Sequence, residues 1–353
     1  MSEAPVSRRS AISPSISVVV IGRNEGMRLV RCLESVAQIR SRYPELAANL
    51  EVIYVDSSSS DGSPETAARL GASVIALKAE RPTAALGRNA GWQQASGEYI
   101  LFLDGDTILH SEFPARALDA MMADATLAAI WGHRREIHPE ASIYNRILDL
   151  DWIFAPGIVE YCGGDVLMRR AALEATGGYD GTLIAGEEPE LCRRMRALGY
   201  RILHIDAPMT GHDLEMRRFA QYWKRALRAG HAYAEVSHRF RRTGDPFWQA
   251  ERTGNLRRGG FWILSLLAAA VLSAALRSVV PALAWFSILI LLSLRSAWKA
   301  QWKSADPWTL ILYGLHSHFQ QIPICVGQMG FDLDPRKGRP RKLIEYKGAS
   351  TQS

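Results

Sequence analysis

The sequence predicts a doubly wound α/β sheet followed by a helical membrane hairpin. Four apolar, β-branched runs carry the sheet: "SISVVVIG" (15–22), "EVIYVD" (51–56), "ASVIAL" (72–77) and "EYILFLD" (98–104), with helical stretches between them. Continuous apolar runs suit strands buried on both faces, and strand–helix alternation marks a parallel sheet. The hairpin rests on two charge-free runs, 261–276 and 278–294, separated by Arg277 alone.

Taken in order, residues 1–14 are polar, lack the apolar core of a secretory signal and are expected to be disordered. Helices are expected at 26–40, about 63–70 and 83–95, each after a strand. In such sheets the ligand binds outside the carboxyl ends of the strands. Those ends read "GRNEG", "DSSSSDG" and "DGD", all polar, small or acidic. Residues 128–212 continue the alternation with "LAAIWGHRREI", a helix near 142–153, "GGDVLMRR" and a strand at 201–206, completing a domain over 15–212.

Residues 213–258 read as a basic helix with Met216, Phe219, Trp223, Leu227 and Tyr233 approximating one apolar face. Its place just ahead of the apolar runs favours an interfacial helix; the alternative is a solvated helix covering the sheet. The hairpin spans 259–296. Each run would rise roughly 24–26 Å, slightly short of a ~30 Å hydrocarbon core. Arg252, Arg257 and Arg258 precede it, and Arg295, Lys299 and Lys303 follow, which keeps both outer ends in the cytoplasm. Arg277 at the tip then reaches the far headgroups. A pair of buried core helices is the competing reading. Residues 297–333, with His316, His318 and several glutamines, are too polar to span and read as a surface-lying amphipathic segment. The basic tail 334–353 is expected to be disordered.

Composition bounds the function. Of 353 residues 48% are hydrophobic, which excludes wholesale disorder, and the net charge of +6 suits an acidic partner. Four scattered cysteines lack paired spacing, so reduced packing thiols are expected, with no zinc site. No motif supports nucleic-acid binding, and none is expected.

The chemistry concentrates at the strand ends. "LFLDGD" turns Asp104 and Asp106 towards one hard cation, Mg²⁺ or Mn²⁺, that could carry a diphosphate. Asp56 closes the second strand, where an acidic residue can accept hydrogen bonds from a base or ribose; Asp61 and Gly62 read as ordinary turn residues. Glu25 lies beside the same crevice, and Arg88 of "GRNAG" could pair with the diphosphate. "CGGD" places Gly164 and Asp165 in a glycine loop that could meet sugar hydroxyls, or form only a tight turn. In "AGEEPELCRRM" Pro189 suits a first helical position, which makes Glu188 the N-cap. Leu191, Met195 and Leu198 form the buried stripe, and Gly199 stops the helix. Glu188 is the candidate general base; its competing role is a plain cap. Glu190 is expected to pair with Arg194, and Glu187 to hold the acceptor or support the metal.

"VVVIGRNEG", "YVDSSSSDGS", "GRNAG", "LDGDT", "GGYD" and "GEEPELCRRMRALGYRI" occur in the order seen in family 2 glycosyltransferases of the GT-A fold, and the chain resembles that family over roughly 15–212. The resemblance implies inverting, divalent-metal-dependent transfer of a sugar from a nucleoside diphosphate sugar. It puts the base on Glu188, the donor and metal motif on Asp104 and Asp106, and the nucleotide loop on Asp56. It also suggests His212 as a third metal ligand. The loop's second acidic position is Ser57 here, leaving the choice of base open. The Q-x-x-R-W signature of processive synthases is absent, so one sugar per encounter is expected. The implied acceptor is a lipid, lipid-linked glycan or surface glycan at the cytoplasmic face of the inner membrane. Rival readings are a non-catalytic, sugar-nucleotide-binding membrane subunit of a glycan synthase and a nucleotidyltransferase, the latter lacking its glycine-rich, lysine-containing loop.

Overall fold

The computed structural model describes residues 14–334. Nearly all of 1–14 and 334–353, the segments expected to be disordered, lies outside the described residues. The first half runs β1 (Ile16–Gly22), α1 (Met27–Arg42), α2 (Pro44–Ala47), β2 (Leu50–Asp56), α3 (Ser63–Arg69), β3 (Ser73–Ala76), α4 (Ala84–Gln94), β4 (Tyr99–Asp104) and β5 (Thr107–Leu109). It continues with α5 (Phe113–Ala123), β6 (Leu127–Glu136), α6 (Ile143–Asp151), β7 (Gly157–Val159), β8 (Val166–Arg169), α7 (Arg170–Thr176), α8 (Glu187–Ala197) and β9 (Arg201–His212). Five helices follow: α9 (Phe219–Phe240), α10 (Gln249–Ala275), α11 (Val280–Lys299), α12 (Pro307–Phe319) and α13 (Gln321–Leu333).

The strands form one mixed sheet in the order β3-β2-β1-β4-β8-β6-β9-β5, with β7 added against β9. β1 to β4 pair in parallel, while β8 runs antiparallel to both β4 and β6. The apolar runs read from the sequence fill its centre: Val18, Val19, Val20, Ile100, Leu101, Phe102 and Leu167 are fully buried. The strands and helices expected up to β4 fall within one or two residues of their structural bounds, whereas the strand expected at 201–206 runs on to His212 as β9.

The C-terminal half departs more. Residues 213–258 are not one helix: α9 ends at Phe240, and α10 begins at Gln249, ten residues before the expected hairpin boundary of 259. The buried face of α9 is Tyr222, Ala226, Gly230 and Ala234, whereas Phe219 is exposed. The stripe of large residues was misleading because α9 packs through small ones. A Cβ at Gly230 would meet the Ile324 carbonyl at 2.1 Å, and one at Gly327 would meet the Leu227 carbonyl at 2.2 Å. Paired glycines thus bring α9 and α13 into backbone contact.

α10 and α11 are long and apolar enough to cross a membrane, and little of their most apolar stretches is buried. α12 and α13 carry an inverted pattern. His316, Gly327 and Gln328 point inward, while Trp308, Ile311, Leu315, Met329 and Leu333 are exposed. Of the polar residues that made 297–333 read as surface-lying, His316 and Gln328 are buried between helices and His318 is half-buried. Tyr222 donates to or accepts from His316 Nδ1 at 2.8 Å, and Asp151 of α6 receives Tyr313 at 3.1 Å, tying α12 to the sheet domain.

Candidate active site

Sheet register gathers the carboxyl ends of β1, β2 and β4: Gly22 lies opposite Asp56, and Ile21 opposite Asp104. The chain reverses its direction of strand addition between β1 and β4, which is where an open α/β sheet leaves a crevice. A cleft of about 720 Å³ opens there. Asp104, Asp106, His212, Glu25, Ser57, Glu187, Glu188 and Gly164 all line it. α9 closes one side with Arg225 and Arg228, so part of its basic surface faces the cleft.

β4 delivers Asp104 and Asp106 on either side of Gly105, and the β5–β9 ladder places His212 opposite Thr107. One ligand atom from each of these three residues lies within 4.8 Å of the others. His212 Nε2 is 3.4 Å from Asp106 Oδ1, and its buried Nδ1 has no hydrogen-bond partner among the described residues. Burial, and then the charge of Arg134, hold this imidazole well below its ordinary pKa, so it is neutral and keeps a lone pair. Two carboxylates and a neutral imidazole fit a divalent cation such as Mn²⁺ or Mg²⁺. Asp104 is shared with two guanidinium groups: Arg88 Nη2 donates to Oδ1 at 3.0 Å, and Arg134 Nη2 lies 3.5 Å from Oδ2.

α8 begins after Gly186, whose φ of +83° turns the chain into the helix. Glu187, Glu188 and Pro189 are therefore its first three residues, and Glu188 is not the N-cap expected from Pro189. Proline is tolerated within the first turn because the first N–H groups of a helix have no intrahelical acceptor. Leu191 and Met195 are buried, but Leu198 is 56% exposed, outside the expected stripe; Gly199 does end the helix, at φ +87°. Glu190 pairs with Arg194 at 2.7 Å. The Glu188 side chain is 15% exposed and its Oε1 lies 2.9 Å from Arg88 Nη1. Burial, and then the neighbouring Glu187, push its carboxyl up to about 7 against the pull of Arg88.

Arg88 is engaged by protein carboxylates. It is 2% exposed and bridges Asp104, Glu187 and Glu188 at 2.9–3.1 Å. Burial works against its charge, but the Glu188, Asp104 and Glu187 carboxylates hold its pKa well above the ordinary value. Three clustered carboxylates need an internal cation, and Arg88, which also lines the cleft, supplies it. Glu187 accordingly holds Arg88 at 3.1 Å. A Cβ at Gly164 would stand 2.5 Å from Arg88 Nη2, so only glycine lets the 162–165 backbone cross over the cluster.

Asp56 and Asp165 also turn inward. Asp56 accepts from the Ser59 amide at 2.9 Å and the Tyr54 hydroxyl at 3.1 Å, away from the cleft surface. Asp165 accepts from the Asp104 amide at 3.0 Å and Thr210 at 2.7 Å, which fixes the end of β4 from behind. Asp61 caps α1 through the Gly26 amide at 2.9 Å, in keeping with the turn role expected of it.

Sequence reasoning missed Arg134, Trp152, Arg225 and Arg228. Arg134 stacks on Trp152 at 4.9 Å, and Trp152 meets His212 edge-on at 5.0 Å, so the pair walls the candidate metal centre. The signal for Arg134 was an arginine pair closing an apolar strand in "WGHRREI". Arg225 and Arg228 had none, because only the fold of α9 over the cleft distinguishes them from other basic residues.

Residues 17–177, which carry the strand ends and the Asp104–Asp106 pair of this site, match the family model described as "Glycosyl transferase family 2". The glycosyltransferase AglE of Haloferax volcanii is 24% identical over 234 residues, 63% of this chain and 74% of that protein. The poly-beta-1,6-N-acetyl-D-glucosamine synthase of Staphylococcus aureus is 25% identical over 159 residues, 42% of this chain but only 38% of the synthase. The mannosyltransferase PcManGT of Pyrobaculum calidifontis, solved in complex with GDP-Man and Mn²⁺, shares the fold. Its TM-score is 0.64 at 21% identity, covering 92% of this chain and 89% of that one.

Proposed function

We propose that the protein transfers a sugar, with inversion, from a nucleoside diphosphate sugar to a lipid, lipid-linked or surface-glycan acceptor at the cytoplasmic face of the inner membrane. The observation that carries this is a largely buried glutamate, Glu188, facing the same cleft as Asp104, Asp106 and His212, with a carboxyl pushed up to about 7 by burial and Glu187. A base poised near the working pH is what proton abstraction from an acceptor hydroxyl needs.

In this reading Glu188 takes the hydroxyl proton as the acceptor oxygen attacks the anomeric carbon from the side opposite the departing diphosphate. Glu187 holds Arg88, and Arg88 orients both Glu188 and Asp104. Arg225 and Arg228, on the cleft wall, are partners for the diphosphate oxygens. Asp104, Asp106 and His212 would hold the divalent cation, which offsets charge on the leaving diphosphate. Glu25 and Ser57, at the β1 and β2 ends of the cleft, meet the nucleotide. The GDP-Man and Mn²⁺ in the archaeal mannosyltransferase support a donor of this class.

Membrane attachment rests on the exposed apolar surfaces of α10 and α11. Trp298, Trp302 and Trp308 are each more than half exposed beside Arg295, Lys299 and Lys303, as at a membrane interface.

The test uses the full chain in lipid nanodiscs with Mn²⁺ and a panel of nucleotide sugars, measured by calorimetry and then by donor turnover. Binding and turnover of one donor are expected, and Asp106→Ala should abolish Mn²⁺-dependent binding while the fold persists. A donor that binds with Mn²⁺ but is neither transferred nor hydrolysed would favour the non-catalytic subunit instead.

A further inference from the structure

A second chamber, of about 420 Å³, adjoins the cleft. The two share Arg134, Trp152, Tyr161 and Cys162. The Cys162–Asp165 segment divides them: Gly163 lines the chamber, and Gly164 lines the cleft, where a Cβ added to it would fall 3.3 Å from Glu188 Oε1. The chamber therefore lies one peptide away from the candidate base.

Its walls are aromatic and rigidly stacked. Trp131 packs edge-on to Phe154 at 5.3 Å and lies 4.3 Å from the His204 ring behind it. Trp152 is held on Arg134. Trp131 is 7% exposed, and its Nε1–H, buried in this wall, has no hydrogen-bond partner among the described residues. A buried donor left unmet is costly, and a ligand acceptor would relieve it. Arg134, Glu160 and Asp165 add charged groups to a mostly apolar lining.

We propose that this chamber is an acceptor subsite that holds a pyranose ring, the sugar next to the attacking hydroxyl. The inference rests on the glycosyl-transfer reading above and deepens it by naming the acceptor's reactive end as carbohydrate. A pyranose combines an apolar C–H face, which suits indole and phenyl walls, with a rim of hydroxyls that can accept from Trp131 and meet Arg134 and Glu160. The volume falls within the range of small-ligand sites. An alkyl chain would leave the Trp131 N–H unmet. The walls also come from β6, β7, β9 and the 152–165 segment, and none from the exposed apolar helices α10 to α13. A nucleobase belongs to the β1–β2 end of the cleft, from which β4 and β8 separate the chamber.

The experiment is saturation-transfer NMR on the full chain in nanodiscs, with the methyl glycosides of mannose, glucose and N-acetylglucosamine as probes and n-dodecyl phosphate as the alkyl control. At least one methyl glycoside should receive saturation on its ring C–H protons. Phe154→Ala, at a partly exposed position that tolerates truncation, should weaken that binding at least tenfold. Trp131→Phe, which keeps most of the ring and removes the donor, should weaken it severalfold. Calorimetric donor affinity in Mn²⁺ should be the same in all three proteins. The inference is overturned if no glycoside binds, if Phe154→Ala leaves binding unchanged, or if dodecyl phosphate shows the same dependence on Phe154. Donor binding without glycoside binding would sink the subsite alone, whereas loss of donor binding in the unmodified protein would sink the transfer reading with it.

Discussion

Glu188 and Glu190 sit two residues apart in α8 and are set to different tasks by what faces them. Glu188→Gln keeps size and hydrogen bonding but cannot take a proton, so transfer should fall by ~10²–10⁴-fold while donor affinity hardly changes. In the unmodified protein kcat/KM should rise with pH through a midpoint of about 7, and that acidic limb should vanish in the variant. The same carboxyl affects stability. Its folded value of about 7 lies above its ordinary 4.5, so the folded state binds an extra proton between those values. Stability should therefore decline as pH rises from 4.5 to 7, and Glu188→Gln should flatten the melting-temperature profile across that window. Glu190 is buried and bidentate to Arg194, whose other bonds reach the Thr176 and Gly178 carbonyls. Glu190→Gln should cost about 1–3 kcal/mol in a melting experiment and leave transfer intact. If Glu190→Gln abolishes transfer and Glu188→Gln spares it, the two roles are reversed.

At the level of elements, α9 joins the cleft to the C-terminal helices. One face lines the cleft with Arg225, Arg228 and Tyr233, and another rests on α13 through the reciprocal Gly230 and Gly327 crossing. Gly230→Val would drive a side chain into the Ile324 backbone, and overpacking of this kind costs about 1–3 kcal/mol, occasionally more. We expect a lower melting temperature together with weaker donor binding, since α9 must move and carry its arginines with it. Gly260→Val, at a position with open space around it, is the control and should do neither. Unchanged donor binding in a destabilised Gly230→Val would mean that the cleft face of α9 is set independently of α13.

For the whole molecule the governing feature is an apolar surface left uncovered. Leu264, Leu267 and Val271 of α10 are each more than half exposed. Surface of that extent on a water-soluble monomer is rare. Replacing all three by glutamate should release the protein from membranes under a carbonate wash with its fold kept, because none of the three is buried. Retention after the wash would mean that the exposed apolar faces of α11, α12 and α13 suffice as an anchor.

The sequence by itself determined the sheet, its carboxyl-end crevice, the aspartate pair at the end of β4 and the apolar hairpin. Each is a local signal: two-sided burial writes a continuous apolar run, and a spanning helix must be long and uncharged. Tertiary structure alone decided which charged groups face the cleft. Asp56 and Asp165 looked as available as Asp104, yet packing turned them away from the cleft to brace their neighbours, and Arg88 at the cleft wall is held by three carboxylates. Arg134 and Arg225 looked like surface charges and became cleft walls. A charge's role depends on which opposite charges and amides lie within hydrogen-bonding reach. Those partners come from positions such as 88, 104 and 188, brought together only by the crossing of strands and helices.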